Sequence, residues 1–171
     1  MIYHFKIYSR EFDNFQMEVS LDGNHTFFDF HCFIQKCFDF EAHQLASFFV
    51  SDDRLKKLKE ISQLDMGLNS NVFLNMRKTK LSEMLHSTNQ KLIYTFDFLN
   101  DSSLYIELNG ITMTQNLKEP LVAMQRGRVP VQVFEEDSYS QVAEILQEEE
   151  VFMDFGELND YAEIFGEMDK L

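Results

Sequence analysis

The stretch that decides the fold is residues 2–38, which read IYHFKIYSREFDNFQMEVSLDGNHTFFDFHCFIQKCF. Residues 2–8 and 15–21 each alternate between apolar and polar side chains, which predicts two antiparallel strands joined by a polar connection. The spacing then changes to three and four residues, which predicts an amphipathic helix with one apolar stripe: Phe27, Phe30, Ile34 and Phe38. Thr26 followed by Asp29 is close to a capping box, so we expect the helix to begin there and to end near Phe38.

Further elements follow along the chain. Residues 45–50 predict a central strand, and residues 92–98 with 104–108 predict a hairpin. Ser51, Asp52 and Asp53 are expected to cap a short helix, and Thr79 to cap another. A last irregular strand is predicted around Val129, Val131 and Val133. The order strand, strand, helix, strand predicts an α+β fold: a single mixed β-sheet with a helix packed across one face, in a β-grasp-like core.

Charge divides the chain. Residues 135–171 carry 13 acidic side chains and one basic one, Lys170, whereas residues 1–134 carry 16 acidic and 14 basic ones. The acidic segment also has apolar side chains at helical spacing, and we expect helices at 140–150 and 157–168. We therefore predict two parts: an α+β domain at 1–134, and a C-terminal helical acidic arm at 135–171, hereafter the acidic arm.

Composition limits the classes of function. No apolar run is long enough for a signal peptide or a membrane span, so we expect a cytoplasmic protein without membrane contact. Cys32 and Cys37 would lie on opposite sides of one helix, which prevents a disulfide and fits a reducing compartment. The net charge of −14 opposes coating of nucleic acid by the whole protein.

Three segments resemble a known family. They are Thr26–Val50, with Phe28-Asp29-Phe30-His31 and Ser47-Phe48-Phe49; Lys91–Phe98, ending in Phe96-Asp97-Phe98; and Gly127 with Val129-Pro130. Over roughly residues 1–134 the chain resembles the plasmid-pRi ORF-three-like family, also labelled a TnpR-type passenger protein of transposable elements. It is similar to a divergent branch found in Bacteroides-like bacteria. The resemblance implies a fold more than an activity, and no serine recombinase motif accompanies it.

The chain departs from the family pattern at its polar positions. The family's Gly-Asp after Asp-Phe is Leu99-Asn100 here, and its Trp and His fall on Ser102 and Leu104. If those groups do chemistry in the family, this chain has lost most of it. The resemblance therefore implies no catalytic residue.

Motifs for chemistry are missing from the sequence. The histidines and cysteines form no metal-ligand spacing, and the six glycines form no phosphate-binding loop. We therefore predict no metal, no cofactor and no catalytic residue. The patterns leave enzymatic activity undecided and favour a non-enzymatic role.

Asp97 is an acidic residue within a predicted hairpin strand, so it must be exposed or paired. It is expected to cap the hairpin turn or to pair with a lysine. The alternative is a small polar pocket formed by His31, His43 and Asp97. That pocket would support a small-molecule-binding or enzymatic domain.

The leading hypothesis concerns a cluster of basic residues as a binding surface. Arg54, Lys56, Lys57 and Lys59, together with Arg77, Lys78 and Lys80, are either a solvated face or the place where the acidic arm docks. The arm would dock through Phe155, Leu158, Tyr161 and Phe165. We predict an interaction protein whose arm binds its own body, another copy or a protein partner. The second hypothesis is a nucleic-acid accessory protein of mobile elements.

Overall fold

A computed structural model describes residues 1–12, 14–41, 44–65, 67, 73–113 and 115–132. The predicted helices at 140–150 and 157–168, and the acidic arm as a whole, lie outside the described residues. The division of the chain near residue 134 therefore remains a prediction.

The described residues form one mixed sheet with two helices. Along the chain the elements are β1 (Ile2–Ser9), β2 (Gln16–Asp22), α1 (Phe27–Phe38), β3 (Ser47–Ser51), β4 (Lys57–Ser62), β5 (Phe73–Asn75), α2 (Leu81–Met84), β6 (Lys91–Asp97), β7 (Ser102–Thr112) and β8 (Leu121–Arg126). The strand order is β5-β4-β3-β6-β7-β1-β2-β8. Among the described strand pairs, only β4–β5 is parallel. The predicted α+β class with one mixed sheet is confirmed.

Helix α1 begins and ends as its sequence predicts. The Thr26 hydroxyl accepts from the Asp29 backbone N–H at 3.1 Å, and the Asp29 carboxylate accepts from the Thr26 N–H at 2.7 Å. The helix ends at Asp39, which adopts a left-handed φ of 55°. This capping box satisfies two N–H groups that the first turn leaves without an intrahelical partner.

The core lies between α1 and one face of the sheet, and large rings fill it. Phe30 packs 5.0 Å from Phe5 and 5.3 Å from Phe48, measured between ring centroids, and Phe27 lies 5.3 Å from Phe48. All four side chains are buried. Such ring pairs add to the free energy gained from burying their area, so the apolar stripe fixes the helix to the sheet.

Three sequence predictions were wrong in detail. The β-grasp-like pairing is not formed, because a β-grasp sheet places its first strand beside a parallel neighbour, and β1 pairs antiparallel with both β2 and β7. The predicted helix after Ser51 is a tight turn followed by strand β4. Val129 and Val131 are not in a strand, Val133 lies outside the described residues, and the last described strand is β8.

A smaller correction concerns Thr79. Helix α2 begins after Lys80, and the Thr79 hydroxyl instead donates to the backbone carbonyl of Asn75 at 2.9 Å. Among the described residues, neither helix combines the length and the apolar character needed to cross a membrane.

Candidate functional site

The predicted basic cluster lies where β3 turns into β4. Asp52 holds this turn: its carboxylate accepts from the backbone N–H groups of Arg54 at 2.9 Å and Lys56 at 2.8 Å. Leu55 adopts a left-handed φ of 64°. Aspartate side chains commonly stabilise such turns by accepting hydrogen bonds from N–H groups further along the chain. The sequence identified the cap, but its carboxylate closes a hairpin instead of starting a helix.

The neighbouring start of β6 adds one more cation. The Lys91 ammonium donates to the backbone carbonyl of Asp53 at 3.2 Å. We define the basic tip as the cations gathered here: Arg54, Lys56, Lys57, Lys59 and Lys91. Sequence reasoning missed Lys91, because only the pairing of β3 with β6 brings it to this turn.

The cations of the basic tip lie on both faces of the sheet. The Lys57 ammonium is 4.3 Å from the centre of the Phe49 ring. The register of β3 and β4 shifts between Val50 and Ser51, so Lys59 is paired with Val50, the neighbour of Phe49. Lys59 therefore projects from the face opposite to Phe49 and Lys57. A partner that contacts both lysines must reach around the strand edge.

Part of that edge is open within the described residues. Strand β5 pairs only with Glu60–Ser62 of β4, which leaves Lys57–Lys59 without a described strand on that side. Leu58 between the two lysines is 52% exposed. The edge therefore offers an apolar side chain between two positive charges.

Most cations of the basic tip lack an acidic partner in the described part of the chain. Lys57 has a carboxylate nearby, that of the exposed Asp101, at 3.9 Å. No carboxylate of a described residue lies within 4.0 Å of Arg54, Lys56 or Lys59. An anionic partner would thus meet positive charge that the described residues leave uncompensated.

The sheet face opposite α1, hereafter the open face, carries an ordered row of large side chains. The strand registers pair Phe49 with Ile93, Ile93 with Tyr105, and Tyr105 with Tyr8. Tyr8 and Tyr105 stack at 5.6 Å, and the Arg10 guanidinium lies 4.5 Å from the centre of the Tyr105 ring. Two rings of the row, Phe49 and Tyr105, are therefore in contact with cations.

A second row on the open face consists of hydroxyl groups. Ser47 is paired with Thr95, and Thr95 with Ser103. The Thr95 and Ser103 hydroxyls are 2.9 Å apart, and the Ser47 hydroxyl donates to the Glu60 carboxylate at 2.8 Å. All three residues are buried. Sequence reasoning missed both rows, although the alternation in each strand marks their members.

His31, which sequence analysis placed in a polar pocket, is buried within the aromatic core. The Ala46 N–H donates to Gln63 Oε1 at 3.2 Å, which turns the Gln63 amide nitrogen toward His31 Nε2 at 2.5 Å. His31 Nε2 must then accept, so Nδ1 carries the proton and donates to the Tyr94 hydroxyl at 2.8 Å. The ring is held as the neutral Nδ1–H tautomer.

Burial explains why this histidine stays neutral. Desolvation, with a smaller effect of the nearby Arg77 charge, lowers the pKa of His31 from 6.5 to about 4. Burial also raises the pKa of Tyr94. The His31–Gln63–Tyr94 chain is therefore a set of neutral hydrogen bonds near pH 7, suited to fixing α1 on the sheet.

Asp97 behaves as the hairpin cap that the sequence predicts. Its carboxylate accepts from the backbone N–H groups of Leu99 at 3.0 Å and Asn100 at 3.1 Å, and from the Asn100 side-chain amide at 2.7 Å. Its hydrogen bonds share no partner with those of His31. His43 lies outside the described residues. The pocket of His31, His43 and Asp97 remains a sequence prediction with no contact to support it.

Both cysteines lie on α1 as free thiols; Cys32 is exposed and Cys37 is half-buried. They border a shallow groove of about 590 Å³ between α1 and the segment Lys118–Pro120. Burial raises the pKa of both thiols, which lowers their thiolate fraction near neutral pH. In the described residues, no group of three or more His, Cys, Asp or Glu side chains is placed to hold a metal.

Comparison with known proteins identifies the family. The model of the plasmid pRiA4b ORF-3-like proteins matches residues 10–167. The chain belongs to this family. The match extends far past residue 134, where the resemblance in the sequence analysis stops, so that resemblance was drawn too short. Most of the acidic arm is included in the family's region.

A solved structure of similar sequence shares the fold. The crystal structure of MM3350, a protein of unknown function from Methanosarcina mazei Go1, matches with a TM-score of 0.61 and 23% sequence identity, covering 86% of this chain and 82% of that one. At this identity the similarity concerns the fold alone. Among curated proteins, none matches the chain.

Proposed function

We propose that this member of the plasmid pRiA4b ORF-3-like family is a non-enzymatic interaction protein whose basic tip binds the acidic arm, its own or that of a second copy. The observation that carries the proposal is the lack of described carboxylates within 4.0 Å of Arg54, Lys56 and Lys59. The acidic arm holds 13 acidic side chains against one basic one. Opposite charges of this size would steer the two together.

The arm is long enough to reach the basic tip. The described chain ends at Gln132, whose side-chain carbonyl accepts from the Glu41 N–H at 2.7 Å. Phe40, next to Glu41, packs 4.7 Å from Phe96 near the end of β6, whereas Lys91 begins that strand. The distance to cover is thus about the length of β6, roughly 20 Å. A helical segment of 157–168 alone spans roughly 18 Å.

Apolar contacts would supply most of the binding free energy. Exposed ion pairs contribute well under ~1 kcal/mol each, whereas a fully buried Phe or Leu side chain contributes about 1.5–3 kcal/mol. On the basic tip, Leu58 is half exposed and available for such contact. On the arm, the predicted stripe of Phe155, Leu158, Tyr161 and Phe165 would provide the matching apolar side chains.

The test uses the full-length chain with a spin label on the arm. Asn159→Cys provides the attachment site in a Cys32→Ser, Cys37→Ala background, and amide signals report which surface the label approaches. We expect the signals of Leu55, Lys57 and Leu58 to broaden more than those of α1. Mixing labelled and isotopically enriched chains shows whether the contact lies within one chain or between copies.

Two double variants with the same change of net charge test whether the arm contacts the basic tip. Lys56→Glu with Lys59→Glu should abolish the broadening, while Lys36→Glu with Lys118→Glu, the same change of net charge elsewhere, should preserve it. Broadening that is uniform, confined to α1, or insensitive to the first pair contradicts the proposal.

A second candidate, a nucleic-acid accessory protein, is favoured by one observation. Arg10 and Lys57 each lie over an aromatic ring of the open face, and sheets with aromatic and cationic side chains bind single strands by stacking. Fluorescence anisotropy with a labelled single-stranded oligonucleotide tests it. Binding that weakens with salt and is reduced by Tyr105→Ala supports this role; no binding at ~20 mM salt contradicts it.

A further inference from the structure

The two edges of the sheet differ in how they are protected. At one edge β5 has three described residues, and the part of β4 that no described strand pairs carries Lys57 and Lys59. Short strands and lysines are the usual means by which sheet edges avoid pairing with other chains. At the other edge β8 has six residues, Leu121-Val122-Ala123-Met124-Gln125-Arg126, with a charge only at its last position.

Strand β8 is paired on one side only within the described residues. It pairs antiparallel with β2, and no described strand lies on its other side. Leu121 is 56% exposed and Val122 is 37% exposed. An exposed apolar edge of this length presents unpaired backbone N–H and C=O groups that can accept another strand.

The side chains of β8 follow a pattern that reads the same in both directions. Leu121 and Arg126 are paired with Ser20 and Gln16, which project from the open face, and Val122 is paired with Val19 on the α1 side. A bulge between Glu18 and Val19 of the pairing restores this symmetry, since Gln125 is then paired with Met17, also on the α1 side. Each end of the strand therefore carries an open-face residue followed by an α1-side residue.

The geometry points to a second copy of this chain as the partner of β8, paired antiparallel about a two-fold axis. The register that pairs all six residues places Leu121 opposite Arg126, Val122 opposite Gln125, and Ala123 opposite Met124. Residues opposite each other at the ends then project from the same face, as an antiparallel pair requires. The interface is isologous, because the same strand is used by both copies.

The charges on and beside β8 favour a second copy as its partner. Two chains of net charge −14 repel each other over most of their surfaces, but this register places no like charges opposite each other within β8. It also brings Arg126 and Arg128 of each copy toward Glu119 of the other. A strand pair of this length is at the small end of specific interfaces, so the dimer is concentration-dependent.

The proposed register of the two β8 strands predicts which substitution weakens the dimer. Leu121→Lys sets a lysine opposite Arg126 twice in the dimer, and cross-strand like charges are destabilising. In sedimentation equilibrium of the full-length chain from ~5 to ~200 µM, we expect the wild type to dimerise and Leu121→Lys to raise the dissociation constant at least about tenfold. Combining it with Arg126→Glu, which restores opposite charges, should recover the dimer.

Leu99→Lys is the matched control, because Leu99 is 78% exposed on the β6–β7 turn and the change of net charge is the same. It should leave the dissociation constant unchanged. A chain that stays monomeric at ~200 µM overturns the inference, and so does a dimer that Leu121→Lys does not weaken. A dimer lost with Lys56→Glu and Lys59→Glu but kept with Leu121→Lys is joined through the acidic arm; it overturns the pairing of β8 and supports the proposed function.

Discussion

The two faces of the sheet use the same strands for different purposes. On the α1 side, Phe48 and Tyr94 pack against helix residues with no exposure to solvent or almost none. On the open face, their neighbours Phe49 and Thr95 contact Lys57, whose side chain is 40% exposed. Because a strand alternates its side chains, adjacent residues pack into the aromatic core on one face and contact polar and cationic groups on the other.

The largest difference is expected between Phe48→Ala and Phe49→Ala. Phe48 packs against three rings of the core, those of Phe27, Phe30 and Tyr94, so its truncation leaves a cavity and should cost about 3–5 kcal/mol of unfolding free energy. Phe49 is half-buried and should cost about 1 kcal/mol. Urea denaturation of both variants measures this; equal costs would mean that Phe49 is packed as tightly as Phe48.

His31→Leu should have the next largest effect, about 2–3 kcal/mol at pH 7.5, because Gln63 and Tyr94 lose a buried partner. The cost should depend on pH. The folded pKa of His31, about 4, lies below its unfolded value of 6.5, so the unfolded chain takes up the proton first. The wild type therefore loses this stability as the pH falls from 6.5 toward 4.

The leucine variant has no such group, so its deficit relative to the wild type should shrink at pH 4.5. Urea denaturation at pH 7.5, 6.0 and 4.5 gives both curves. A deficit that stays constant or grows on acidification would show that His31 is not held neutral in the core.

Asp97→Ala should cost about 1–2 kcal/mol, since three hydrogen bonds to the β6–β7 turn are lost. Asp101→Asn is the control: its side chain is 88% exposed, its contact with Lys57 is 3.9 Å long, and asparagine tolerates the left-handed φ of 52° at this position. The change should therefore stay within ~0.5 kcal/mol. Thermal unfolding measures both. Similar melting temperatures for the two variants would contradict a capping role for Asp97.

The smallest effect concerns the cation on the open face. Lys57→Met keeps most of the side-chain length but removes the charge over the Phe49 ring, and should cost about 0.5–1 kcal/mol. Lys56→Met, which has no ring beneath it among the described contacts, should cost less than ~0.3 kcal/mol. If chemical denaturation finds no difference between them, the cation–ring contact contributes nothing to stability.

Local signals explain which elements were predictable. The helix α1, its cap and its stripe depend on residues within a few positions of each other, and the β6–β7 hairpin depends on one short turn. The β3–β4 turn was misread because Asp52 can cap a helix or close a tight turn with the same carboxylate. The spacing of Leu58 and Ile61, with lysines around them, fits a helix as well as a strand. The pairing with β3 decides for the strand.

The site was only half predictable for the same reason. Arg54, Lys56, Lys57 and Lys59 are neighbours in sequence, so their charge was visible, but their distribution over two faces was not. The Gln63 contact with His31 spans 32 positions, and the Tyr94 contact spans 63. No local pattern specifies such pairs.

The sequence by itself determined that the described part of this chain packs an aromatic core beneath the long helix α1, because side-chain periodicity and capping chemistry act over a few residues. Only the tertiary structure decided the strand order, the neutral tautomer of His31 and the contrast between the lysine-bearing edge at β4 and the apolar edge at β8. Those depend on which distant strands become neighbours, and that choice is made by packing and backbone hydrogen bonding summed over the whole sheet.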